Sequence, residues 1–339
     1  MTIRKALVTG ATGHIGSTLC RALCARGVEV VAVVRPTSNR RALEGADVRI
    51  VQGDVLALDL LERQARGCDV VFHNAAIFEI HASDPALLHR VAVEGAQNAV
   101  TAAARAGART VLTGSVVAVG FGTRAGELLD ESAGAPSLTV PYYRAKVDGE
   151  RAAEQRAQEL EADLVRVLPT LAIGPGDHRV TPSSRFLVDM LRGKGVTFEG
   201  GVNVIDVRDV ALGMIAAAER GRSGARYILG GENLLLRDFG AIVSQLTGRA
   251  VPHTMLPRWA ISSIVAGVEL FSAFAGKTPS ITRAAIHDLY GRYAWYDVTR
   301  ARTELGLTTR LTVETVEDAA RFFRDHGVVP GSTARAEAA

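Results

Sequence analysis

A doubly wound α/β fold, with a parallel sheet and a smaller, partly interleaved C-terminal region, is predicted by three features of the 339-residue chain. Short β-branched apolar runs alternate with Ala-rich stretches of helical length through the first half. A glycine-rich turn joins the first run to the first helical stretch. After Leu168 the alternation gives way to Pro- and Gly-rich turns, among them Pro169, Gly174, Pro175 and Gly176.

The apolar runs, at 6–9, 28–34, 48–52, 70–73, 110–113 and 164–168, show no polar alternation. They read as strands covered on both faces, the signature of a parallel sheet. Between them, 17–25, 58–65, 87–106 and 142–161 have the length and periodicity of crossover helices. Residues 1–168 therefore form the sheet domain, with a return segment expected near 202–220. Residues 169–330 form mainly a second domain, and 331–339, with nothing to bury, a disordered tail.

Composition excludes several classes. Lys and Arg total 39 against 36 Asp and Glu, interspersed, for a net charge of +3. That balance gives no clustered basic footprint for nucleic acid. Cys20, Cys24 and Cys68 form no metal or disulfide framework, and the eight histidines are scattered without ligand spacing, so no metal is expected. The start, Met1-Thr-Ile-Arg-Lys, enters a strand at once without a secretory leader, which points to the cytoplasm. The stretch 259–275 is apolar but broken by Ser262, Ser263, Glu269 and Ser272, too short and polar to span a membrane. It reads as a buried or pocket-covering helix, with docking on a membrane surface as the alternative.

The turn after the first strand carries Gly10, Gly13 and Gly16 in the spacing Gly-x-x-Gly-x-x-Gly, with Thr12, His14 and Ile15 between. Gly10 permits the tight turn, Gly13 lets backbone approach a pyrophosphate, and Gly16 lets the helix close on the strand. This is the phosphate loop of a Rossmann-type dinucleotide site. The second strand ends in Arg35 and continues to Arg40 and Arg41, with no carboxylate to hold a ribose 2′-hydroxyl. NADP(H) is therefore preferred, with NAD(H) usable, although Arg40 and Arg41 also read as solvated surface charges. Asp54 and Val55 follow the third strand, where the carboxylate either accepts from adenine or caps a helix. Asn74, Ala75 and Ala76 end the fourth strand and leave room for the dinucleotide.

Tyr142 and Lys146 lie one helical turn apart at the start of 142–161. A phenol near its ordinary pKa of about 10 is a poor proton shuttle at neutral pH, and Lys146 supplies a cation to favour the phenolate. Ser115, at the end of the fifth strand, is placed to hydrogen-bond a substrate oxygen, with Thr113 as competitor. Tyr143 reads as packing or pocket wall.

Together the loop Thr9-Gly-Ala-Thr-Gly-His-Ile-Gly16, Gly53-Asp54, His73-Asn-Ala-Ala76, Ser115, Tyr142-x-x-x-Lys146, Pro169-Thr-Leu-Ala-Ile-Gly-Pro175, Asp297-Val-Thr-Arg-Ala-Arg302 and Glu304-Leu-Gly306 resemble the extended short-chain dehydrogenase/reductase family. Val34-Arg-Pro-Thr-Ser-Asn-Arg-Arg41 and Arg226-Tyr-Ile-Leu-Gly-Gly-Glu-Asn233 are similar to its dihydroflavonol-4-reductase-like branch, including hopanoid-associated members. The resemblance implies Ser115, Tyr142 and Lys146 as the catalytic triad and places Pro169, with Leu171 after it, beside the nicotinamide. The chain departs from the pattern at Gly114, where a second serine is frequent, and at Ala92, where Asn is usual; Asn98 remains as a structural polar residue on that helix.

The same resemblance covers reductases and sugar epimerases or dehydratases. Sugar enzymes would carry an Arg where Val202 stands and tend to carry Asn where Leu171 stands, and a dehydratase would place an acid where Val116 stands. The expected function is interconversion of a relatively apolar ketone or aldehyde and its alcohol by hydride transfer, in a pocket walled by Ile77, Phe78, Val140, Tyr143 and Phe186. An epimerase of a sugar or nucleotide-sugar derivative is the alternative. A non-catalytic NADP-binding regulator is the third, opposed by the intact Ser/Tyr/Lys set. A homodimer through 87–106 and 142–161 is expected from the family.

Overall fold

The computed structural model describes residues 1–77, 84–134, 138–274 and 283–330. The first half forms β1 (Lys5–Thr9), α1 (His14–Cys24), β2 (Glu29–Val34), β3 (Val48–Gln52), α2 (Leu58–Ala65), β4 (Val70–His73), α3 (Pro85–Arg105), β5 (Arg109–Thr113), α4 (Pro141–Glu159) and β6 (Leu164–Pro169). The second half adds β7 (Leu171–Ile173), α5 (Pro182–Leu191), β8 (Gly201–Asp206), α6 (Val207–Arg220), β9 (Arg226–Leu229), β10 (Glu232–Leu235), α7 (Leu236–Thr247), α8 (Arg258–Phe274), α9 (Arg283–Leu289), α10 (Thr299–Leu305) and α11 (Thr312–Asp325).

Seven parallel strands form one sheet in the order β3-β2-β1-β4-β5-β6-β9. The unbroken apolar runs follow from its two covered faces. Along β1, Ala6 and Val8 join Leu19 and Leu23 of α1 and Met214 of α6. The residue between them, Leu7, joins Leu61 of α2 and Ala99 and Ala102 of α3 on the opposite face. Strand order reverses between β1 and β4, which opens a crevice at the strands' carboxyl ends.

The return to this sheet differs from the expected 202–220. Strand β8 pairs instead with β7 and β10 in a second, three-stranded sheet, and α6 with β9 completes the large one. The reason is local. Gly230 and Gly231 turn the chain so closely that a Cβ on Gly231 would meet Val204 O at 2.1 Å, which directs β10 antiparallel onto β8. A second core forms there from Leu187 and Val188 of α5, Phe239 and Val243 of α7, and Val316 and Phe323 of α11.

Helix α8, expected to be covered, exposes its large side chains, with Trp259 and Phe271 each 73% exposed. Its inward side carries Val265 and Ser272, and it packs against α9. Among the described residues no helix is long and apolar enough to cross a membrane. The expected tail 331–339 lies outside the described residues.

Candidate active site

The crevice begins at the turn between β1 and α1. Gly10 adopts φ +64°, and a Cβ there would meet Asn74 C at 2.6 Å; one on Gly16 would meet Gly10 O at 2.2 Å. Gly13, the N-cap of α1, makes no side-chain cap, so the first N–H groups of the helix are left to an external acceptor. Thr12 is buried and Ile15 packs on the main core. The His14 side chain turns away from the crevice, its Nε2 3.1 Å from Pro175 O and its Nδ1 4.0 Å from Asp177, and burial holds its pKa below the usual value. The imidazole of His14 is thus held by the segment from Pro175 to Asp177.

Arg35 is exposed just past β2, and Arg40 stands half-exposed in the turn that follows; neither forms an ion pair with the described residues. Asp54 accepts from Leu56 N–H at 3.0 Å, while the cap of α2 is Ala57, so the helix-cap alternative for Asp54 does not hold. Val55 is buried, and Asn98 Nδ2 donates to its carbonyl at 3.0 Å. At the end of β4, Asn74 Oδ1 accepts from Thr113 Oγ1 at 2.6 Å, and Ala75 N–H approaches Thr9 Oγ1 at 3.4 Å. Ala76 is exposed. Asn74 Nδ2 is buried without a hydrogen-bond partner among the described residues. A buried amide donor lacking an acceptor, beside an uncapped helix start, fits an anionic, acceptor-rich ligand such as a dinucleotide.

Around Tyr142 the structure gathers Leu88, Val140 and Ala145, with Ile77 and Tyr143 packed against them. Tyr143 meets Tyr142 edge-on at 5.9 Å and Phe121 at 6.2 Å between ring centroids. Burial, then the neighbouring Tyr143, pushes the Tyr142 phenol up. Lys146 is not a cause of that shift: its ammonium donates to Thr113 O at 2.9 Å. Without a bound cofactor, burial therefore outweighs any charge near the phenol. Burial lowers Lys146 to about 8, against an opposing pull from Glu150.

Thr113 spends its hydroxyl on Asn74. Among the described residues Ser115 Oγ accepts only a long contact, 3.4 Å from Val117 N, which leaves its proton to donate. Pro169 ends β6 and Leu171 opens β7, so the chain passes from one sheet to the other between them. Leu171 packs on the second core, and Val202 lies within it. Phe186, expected as a pocket wall, is half-buried and stacks on Phe239 at 5.6 Å against that core. Phe78 lies outside the described residues.

Two residues escaped the sequence reading. Glu150, one turn after Lys146, is buried with Oε1 2.8 Å from Arg226 Nε and 3.8 Å from Arg166 Nη1. Its i+4 spacing from Lys146 was the available signal. Asp288 of α9 accepts from Thr139 N, Thr139 Oγ1 and Val140 N at 3.1, 2.8 and 3.1 Å, bracketing the entry to α4. No local pattern announces a contact across that separation.

A parallel sheet with a phosphate loop at its switch point and a Ser, Tyr and Lys set on β5 and α4 defines a nucleotide-cofactor enzyme of the short-chain dehydrogenase type. The chain belongs to the NAD dependent epimerase/dehydratase family, whose model matches residues 6–230, and within it to the dihydroflavonol-4-reductase-like extended branch. A candidate dihydroflavonol 4-reductase of Synechocystis sp. is 35% identical over 330 residues, 95% of each chain. A 4-hydroxy-2-methyl-3-oxo-4-farnesyl-3,4-dihydroquinoline-1-oxide ketoreductase of Stigmatella aurantiaca is 30% identical, covering 94% of this chain and 96% of its own. Among solved structures, gox2253 superposes with a TM-score of 0.83 at 31% identity, over 96% and 99% of the two chains. The protein is an NAD(P)-dependent oxidoreductase.

Proposed function

We propose that this enzyme is an NADP(H)-dependent carbonyl reductase that converts a relatively apolar ketone or aldehyde to its alcohol. The observation that carries the reading is the buried Tyr142, set among Val140, Ile77, Leu88 and Tyr143, whose burial favours its protonated form. A neutral phenol is a proton donor, which is what carbonyl reduction requires.

When bound, the reduced dinucleotide supplies the hydride. The first turn of α1 and Gly13 hold its pyrophosphate, Asn74 Nδ2 gives a further donor, and Arg35 with Arg40 meets a 2′-phosphate. Ser115 Oγ donates to the carbonyl oxygen as charge builds there, and Tyr142 Oη delivers its proton to the same oxygen. Lys146, tethered to Thr113 O, would offer its remaining N–H groups to the ribose of the cofactor. The apolar walls exclude water and favour a hydrophobic substrate.

The test is turnover of NADPH, and separately NADH, with a panel of aromatic, terpenoid and aliphatic ketones and aldehydes. Stoichiometric cofactor oxidation with alcohol formation, faster with NADPH, is expected. Isomerised sugar without net cofactor consumption would instead mark an epimerase, and cofactor binding without turnover a regulator.

A further inference from the structure

Helix α8 is amphipathic in the wrong sense for a soluble surface. At 100° per residue, Trp259, Ser263, Ile264, Gly267, Leu270 and Phe271 fall on one arc. All six are exposed, Trp259 and Phe271 at 73%, Leu270 at 61% and Ile264 at 58%. That arc carries no charge. Just before the helix, Met255 and Leu256 extend it, 88% and 45% exposed. Away from that arc, Ser272 is buried and Glu269 is paired with Arg283 at 2.7 Å.

We propose that this face, from Met255 to Phe271, is a docking surface for an anionic lipid bilayer. Charge and area select that occupant. Between Gly248 and Ser272 the one acidic residue is Glu269, already neutralised by Arg283, whereas Arg258, the first residue of the helix, is exposed, and exposed Arg249 adds a second positive charge to the segment before it. That arrangement places basic charge at headgroup depth beside a row of apolar side chains, with Trp259 at the boundary. A second copy of the chain is the poorer fit. A 17-residue helix is about 25 Å long, and one face of it offers a few hundred Å², short of the ~800 Å² per partner of a stable interface. Insertion into a bilayer surface needs one helix face and nothing more.

Docking there has a consequence for the site. Helix α8 packs on α9, whose Asp288 holds the turn that leads into the Tyr142 helix. The bilayer face and the substrate pocket are thus separated by a single helix, and an apolar substrate dissolved in lipid has a short route to Tyr142.

The experiment mixes the full-length, NADPH-saturated protein with phosphatidylcholine vesicles, with and without phosphatidylglycerol. It follows co-sedimentation and tryptophan emission; the other indole, Trp295, donates to Leu234 O and serves as an internal reference. Binding to the phosphatidylglycerol vesicles with a blue shift is expected, weakened about tenfold or more by Trp259→Ser with Phe271→Ser, and preserved by Trp259→Phe. Thermal unfolding and NADPH binding of the double variant should be unchanged. No binding to either vesicle, equal binding by the double variant, or a dimer that the same substitutions dissociate while lipid is ignored would each overturn the proposal. None of these readouts requires that a ketone be the substrate.

Discussion

Helices α1 and α8 are both built mainly from small and apolar residues, yet they are seated in opposite ways. Leu19, Cys20 and Leu23 of α1 have no exposed surface, whereas Trp259, Leu270 and Phe271 of α8 face outward. What separates them is the support beneath. Helix α1 lies on a parallel sheet whose glycine turn brings its first residues against β1, so its apolar stripe has only one place to go. Among the described residues helix α8 packs chiefly on the short helix α9, with Ser272 buried and Glu269 held by Arg283. Apolar composition alone therefore does not say which way a helix faces; the element it packs against does.

The largest expected effect tests the supported end of the molecule. Tyr142→Phe should lower kcat/KM by about 10²–10⁴ while the NADPH Kd changes less than about twofold, as followed by fluorescence titration. Retained turnover would remove Tyr142 from the chemistry. Next, Leu19→Ala in α1 should cost about 3 kcal/mol in denaturant unfolding, because its cavity opens in a closed core. Arg35→Glu should reduce kcat/KM for NADPH by about 10- to 100-fold and spare NADH, since one charge-assisted contact to a 2′-phosphate is lost.

A pH profile sharpens the same region. Lys146 is charged below about 8, so kcat/KM should fall as the pH rises through that value. Glu150 pulls Lys146 upward, so Glu150→Gln should move this alkaline limb to lower pH. A limb that stays in place would leave Glu150 a structural residue. The smallest effect closes the comparison: Trp259→Ser in α8 should change unfolding free energy by less than about 0.5 kcal/mol in lipid-free buffer, where Leu19→Ala does not. A large loss would mean that α8 is covered after all.

Most of the sheet was legible because its strands are buried on both faces, and a run such as Val30–Val34 has no other stable disposition. The glycine loop was legible because close backbone approach admits no Cβ, as at Gly16. Strand end and helical spacing made Ser115, Tyr142 and Lys146 candidates, and the family resemblance joined them into a proposed triad. What spacing does not reveal depends on partners distant in sequence. The stacking of Phe186 on Phe239 is decided by how α5 meets α7. The fate of 202–206 turned on Gly231, and the ionisation of Tyr142 on burial that no spacing reveals.

Burial works to raise the Asp288 carboxyl, but hydrogen bonds from His287, Thr139 and Val140 outweigh it and hold the group below the usual carboxylate range. This clasp joins the proposed acid–base helix to a residue far outside the family-matched stretch 6–230. A chain truncated at the end of that stretch would keep every proposed catalytic side chain and lose the strut that sets their approach. Competence for turnover thus arrives late along the polypeptide, when its last third closes back on the first two.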